Sequence, residues 1–294
     1  LDHQGVFVQR TLQKAAHSLI LASVTMIFLN LATAVAEPTA QVPNQTAAPQ
    51  ATPQPVPPRP LTPAEQAARQ SSIDHVNQML HDWPFLNRFH DADAALPAPA
   101  PGENRVVFMG DSITENWLHN GVATGEPDPG FFPGKPYVNR GISGQTSPQM
   151  LVRFRQDVVA LKPKAVVILA GTNDIAGNTG DIAPEATEDN LASMADIAHA
   201  NGIKVVLCSI LPSFDFPWRR GKEPAPKIIA INTWIKGYAA AHGYVYVDFH
   251  SAMADARGGL PLTLSKDGVH PIKAGYDIMN PLVEAGIEKA LTGR

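Results

Sequence analysis

Five short runs rich in β-branched and aromatic residues, at 105–109, 137–139, 165–170, 204–210 and 244–249, alternate with segments of helical periodicity, and this alternation leaves few folds open. Leu151, Phe154, Val158 and Leu161 recur at helical spacing behind a Ser147 cap and Pro148, and Leu191, Met194 and Ile197 follow Pro184. Ile228, Ile231, Ile235 and Tyr238 repeat the pattern before the last strand. A final helix from Ile272 to about Leu291 carries Tyr276, Met279, Val283 and Ile287 on one side, and Pro281 inside it is expected to kink or interrupt the ladder. Strands and helices alternating in this way build a parallel sheet covered on both faces, a three-layer α/β/α domain. Five strands at these intervals fit the flavodoxin-like order 2-1-3-4-5, whose ligand crevice opens at the carboxyl ends of the strands.

That pattern fills 103–294, and three segments of different composition precede it. Arg10 and Lys14 stand before an apolar run from about Leu19 to Val35 that ends in Ala34-Val35-Ala36, so 1–36 reads as a secretory signal cleaved after Ala36. An uncleaved membrane anchor is the alternative, and either places the folded body in the periplasm or outside the cell. Residues 37–61 are Pro/Ala-rich without apolar periodicity and read as a linker. Thr62-Pro63-Ala64-Glu65 is a capping box with proline at the first helical position; it starts a helix to about His81, within a connecting segment 62–102 expected to pack on the outside of the domain. A net charge of −4 gives no basic field for nucleic acid, which leaves small molecules or polymers as partners and the oligomeric state open. The single cysteine, Cys208, excludes an internal disulfide and sits in an apolar run as a small buried hydrophobe.

Polar signatures gather where the strands end. The first strand leads into Gly110-Asp111-Ser112-Ile113-Thr114 and the second into Asn139-Arg140-Gly141-Ile142-Ser143-Gly144-Gln145. The third leads into Gly171-Thr172-Asn173-Asp174, and the fifth, after a short helical segment, into Asp267-Gly268-Val269-His270-Pro271. A serine hydroxyl becomes a nucleophile when a neutral imidazole takes its proton and a carboxylate orients that ring. Asp267 and His270 are spaced to supply both, and Pro271 is expected to set His270 on the rim where the last helix begins.

These four blocks, in this order over about 105–291, resemble the GDSL or SGNH hydrolase family, with Ile113 where the family name has leucine. The resemblance implies the SGNH hydrolase fold, Ser112 as nucleophile, and His270 and Asp267 as the rest of a triad. It also implies an oxyanion hole formed by Ser112, Gly144 and Asn173. Physical chemistry agrees: Asn173 offers a side-chain NH₂, and Gly144, without a Cβ, can bring its N–H close to a reacting oxygen. Asp111 and Asp174 are expected to position the loops around these groups. Phe214, Phe216, Trp218 and Arg219, on the loop after the fourth strand, and the loop 119–136 are expected to wall the substrate site.

The implied activity is hydrolysis of a carboxylic ester with a short acyl group through an acyl-enzyme, a carbohydrate acetyl-esterase being the favoured case. Lysophospholipase, thioesterase or acyltransferase activity would use the same residues, and a catalytically silent glycan-binding module is the rival from another class. No cofactor is implied. The chain has no Gly-x-x-x-x-Gly-Lys loop, no Gly-x-Gly-x-x-Gly after the first strand and no Gly-x-Ser-x-Gly elbow, and its histidines lack metal-ligand spacing. On this reading kcat/KM rises with pH as His270 loses its proton, and EDTA changes nothing.

Overall fold

The computed structural model describes residues 59–121 and 130–293. The expected signal segment 1–36 and linker residues 37–58 lie outside the described residues, as does 122–129 of the expected substrate loop. Leu61–Arg294 forms one compact unit that holds every element below.

Helix α1, Pro63–His81, starts on the capping box its sequence predicts, with the Thr62 N–H donating to Glu65 Oε2 at 2.8 Å. Short helix α2, His90–Ala95, follows. Then come strand β1 (Val106–Gly110), α3 (Ser112–Asn116), β2 (Tyr137–Gly141), α4 (Ser147–Asp157), β3 (Ala165–Leu169) and α5 (Thr172–Ala176). After α6 (Pro184–Ala200) the chain continues through β4 (Lys204–Cys208), α7 (Pro224–His242), β5 (Val245–Val247), α8 (Phe249–Met253) and α9 (Lys273–Thr292). All strand pairs are parallel, in the order β2-β1-β3-β4-β5, as expected.

Alternation along the strands divides the core in two. Val106, Phe108, Val167 and Leu169 face Tyr276, Met279, Val283 and Ile287 of α9, while Val107, Met109, Val166 and Ile168 face Phe154, Leu191, Met194, Ile231 and Ile235. Each fully buried side chain of this kind contributes about 1.5–3 kcal/mol. The described end of the loop 119–136 also serves the core: Phe131 and Phe132 pack on Phe108, with ring centroids 5.0 and 5.5 Å away.

Three boundary expectations are corrected. Helix α4 takes Thr146 as its N-cap rather than Ser147, because the Ser147 N–H and hydroxyl are both committed to the Asp174 carboxylate. Helix α9 begins at Lys273, two residues beyond Pro271, since Pro271 pairs with Ser265 in an antiparallel bridge. The same helix is unbroken through Pro281, which removes only one N–H from its ladder.

Segment 62–102 is held on the α/β body by side-chain amides. Gln145, Gln149 and Gln156 donate to the carbonyls of Pro84, Trp83 and Leu86 at 2.9, 2.7 and 2.6 Å. Arg140 Nε adds a charged bond to Asp93 at 2.8 Å, and Arg105 donates to Pro97 O at 2.9 Å.

Candidate active site

Four strand ends deliver the singled-out residues to one rim of the sheet. At the end of β1 the Asp111 side chain accepts from the Ile113 N–H at 2.9 Å, caps α3 and so turns Ser112 out at its first position. The turn is tight because Gly110 has no Cβ; one placed there would lie 2.0 Å from Thr114 Oγ1 and 2.9 Å from Leu169 O. From the far end of the chain comes a turn in which Asp267 Oδ1 accepts from the N–H groups of Val269 and His270 at 3.0 and 2.8 Å, with Gly268 at φ +82°.

The hydroxyl, imidazole and carboxylate fall in line. Asp267 Oδ2 is 2.7 Å from His270 Nδ1, and His270 Nε2 is 2.9 Å from Ser112 Oγ. A carboxylate only accepts, so Nδ1 carries the ring hydrogen and the bare Nε2 faces the serine O–H. Burial pulls the Asp267 carboxyl upward, but hydrogen bonds from the His270 N–H, its ring and the Val269 N–H outweigh this and hold it below the usual range.

Gly144, in the block after β2, is at φ +79°, and its N–H finds no acceptor among the described residues. Glycine is required there by backbone conformation rather than by crowding, since an added Cβ would meet only Asn178 Nδ2, at 3.8 Å. Asn173 is buried, and its amide is committed more fully than expected: Nδ2 donates to Gln145 O at 3.0 Å and, more weakly, to Asp111 Oδ2 at 3.3 Å. Asp174 accepts from the Ser147 N–H at 3.0 Å and from the Thr187 hydroxyl at 3.3 Å, tying the loop after β3 to α4.

Of the four loop residues expected at the substrate wall, Trp218 and Arg219 line a cavity that Gly144 also lines. Its volume is about 220 Å³, Met79, Phe85 and Asn178 line it too, and the Trp218 ring lies 5.8 Å from that of His270. Phe216 is a correction: it is 0% exposed, packed against Ala176 and Val269, and reaches no substrate. Phe214 does not line this cavity, and its ring carries the Arg257 guanidinium at 5.2 Å.

Three contributors were not singled out from sequence. Arg153, 0% exposed, donates to Gln145 Oε1 at 2.6 Å, Asp157 at 2.9 Å and Gly110 O at 3.2 Å, and thereby braces two of the loops. Burial brings its pKa down to about 10, which leaves it charged at neutral pH. Glu115 Oε2 accepts from the Ser143 N–H at 2.8 Å, beside Gly144. Asn178 bonds to Asn173, and its only sequence signal was a Gly-Asn pair after α5.

Burial pushes the Asp111 carboxyl up to about 7, with the Asp174 and Glu115 charges adding to it and the Ile113 N–H opposing. Between its ordinary value of 3.8 and about 7, the folded protein keeps a proton that the unfolded chain has lost. Stability contributed by this group is therefore full below 3.8 and is lost as pH rises to about 7. Asp174, raised by burial, acts in the same direction, whereas His250, lowered by burial, acts against it. The thermal midpoint measured by calorimetry is expected to be lower at about pH 7.5 than at about pH 5.5. A midpoint that climbs across that interval would contradict this assignment.

Residues 108–278 match the sequence model of the GDSL-like lipase/acylhydrolase family. The chain belongs to that family. A GDSL-like lipase from Bacteroides thetaiotaomicron, known as a crystal structure, is 47% identical, with a TM-score of 0.67, covering 71% of this chain and 100% of that one. Esterase TesA of Pseudomonas aeruginosa is 33% identical over 141 residues, 47% of this chain and 62% of that protein. An acetylxylan esterase of Xylanibacter ruminicola is 27% identical over 223 residues, 66% of this chain and 45% of that protein. The chain thus spans about half the length of these two curated relatives. Within the GDSL-like family fold, the four signature blocks are those that meet on the rim.

Proposed function

We propose that this protein is a serine ester hydrolase acting on carboxylic esters with short acyl groups. The observation that carries the reading is the unbroken hydrogen-bonded line from Asp267 through His270 to Ser112, 2.7 and 2.9 Å long, together with a Gly144 N–H that has no acceptor among the described residues. As Ser112 Oγ bonds to the ester carbon, its proton passes to His270 Nε2, and the carbonyl oxygen becomes an oxyanion facing the Gly144 and Ser112 N–H groups. The weaker of the two Asn173 hydrogen bonds, that to Asp111, is the one an oxyanion would draw away. Collapse of this intermediate breaks the bond to the alcohol, which leaves with the proton held by His270. Water then attacks the acyl-enzyme, gives one proton to His270, and releases the acid as that proton returns to Ser112.

Two observations support short acyl groups on a glycan. The cavity that Gly144 lines is small, about 220 Å³, and Trp218 and Arg219 line it too. Similarity to the acetylxylan esterase points the same way. Export is proposed from the basic residues, apolar run and small-x-small ending of 1–36. Turnover of p-nitrophenyl esters tests the acyl preference: kcat/KM for the acetate is expected to exceed that for the octanoate about tenfold or more, with acetate released from acetylated xylan. Preference for the octanoate, or hydrolysis of lysophospholipid without release of acetate from xylan, would overturn the short-acyl assignment.

A further inference from the structure

Three side chains form a relay behind the candidate oxyanion hole. The Trp218 indole N–H donates to Asn178 Oδ1 at 3.0 Å. Asn178 Nδ2 in turn donates to Asn173 Oδ1 at 2.8 Å and to Gly144 O at 3.1 Å. Groups of single polarity close both ends and fix the orientation of each amide. An indole N–H can only donate, so the Asn178 end facing it is the oxygen. The Gln145 carbonyl can only accept, so the Asn173 end facing it is the nitrogen. Without Asn178, the buried Asn173 oxygen loses its donor and Gly144 loses the bond that holds its carbonyl in a φ +79° turn.

We infer that Asn178 is a positioning residue, which sets the aim of the Asn173 amide and the Gly144 peptide from an anchor on the substrate-wall residue Trp218. The inference rests on the proposed reading of the site, and it couples two of its parts. Trp218 is 40% exposed, lines the cavity of about 220 Å³ together with Asn178 and Gly144, and stands 5.8 Å from the His270 ring. A substrate that docks against Trp218 therefore touches the same relay that orients the donors.

The test is steady-state kinetics on p-nitrophenyl acetate with two variants. Asn178→Asp keeps the size of the side chain and the acceptor for Trp218 but cannot donate to Asn173 or Gly144. Its kcat is expected to fall about 10–100-fold with KM within about twofold of the parent. Trp218→Phe keeps an aromatic ring at this position while removing the N–H together with the second ring of the indole, and kcat is expected to fall about 3–10-fold, more than KM changes. Being on the surface, this second variant carries the test if the first does not fold. Unchanged kcat in the folded variants, or a rise in KM alone, would overturn the positioning role. Ser112→Ala serves as the reference: if it retained activity, the reading of the site itself would have failed, whereas an inactive Ser112→Ala beside fully active relay variants would sink only the relay.

Discussion

Ser112→Ala is expected to lower kcat for an aryl acetate about a million-fold while leaving the fold intact. The side chain is small, half-buried, and at the first position of a five-residue helix whose cap is Asp111, so its loss removes no packing that other residues depend on. What it removes is the hydroxyl that lies 2.9 Å from His270 Nε2. The Gly144 and Ser112 N–H groups would remain, and they account for whatever residual rate is seen over water. Progress curves in parallel with circular dichroism check both halves of the expectation. A folded variant retaining more than about a hundredth of the parent rate would show that another group attacks the ester.

Asp267→Asn should cost nearly as much, about ten-thousand-fold in kcat, by a different route. The amide oxygen can still accept from the Val269 and His270 N–H groups, which keeps the turn. That leaves its NH₂ facing His270 Nδ1 across the present 2.7 Å contact. A donor there forces Nδ1 to accept and moves the ring hydrogen to Nε2, the atom that must take the proton from Ser112. The variant is expected to lose kcat while KM stays close to the parent value. An Asp267→Asn protein with parent-like kcat would mean that the carboxylate neither orients nor balances the charge of the ring.

The parts of this arrangement that were legible in the sequence are those encoded locally. Asp267 and His270 lie three residues apart around a glycine, so the turn that joins them needs no distant partner. The Thr62–Glu65 box and the stripe Tyr276, Met279, Val283, Ile287 are likewise complete within their own segments. Strand order followed from the regular alternation of strands and helices, because few connections satisfy a parallel sheet.

What escaped depends on the return of distant chain. Phe214, Phe216 and Trp218 alternate in a short loop and look alike as sequence, yet Val269 covers the second and leaves the third at the site. Arg153 and Asp157 have the spacing of a solvated helical ion pair, but both are 0% exposed beneath the segment that precedes β1, and there the arginine holds Gln145 and the Gly110 carbonyl. The hydrogens of the Asn173 amide could not be assigned from its own motif, since Gln145, Asp111 and Asn178 decide where they point. Likewise Ser147 looked like a helix cap until Asp174, 27 residues on, claimed its N–H and hydroxyl.

Covalent capture tests the central claim most directly: the parent protein treated with a fluorophosphonate, followed by intact-mass measurement and peptide mapping. A single adduct on Ser112, absent after Asp267→Asn under the same exposure, is the expected result. Folded parent protein that acquires no adduct, or acquires it on another residue, would contradict Ser112 as the nucleophile.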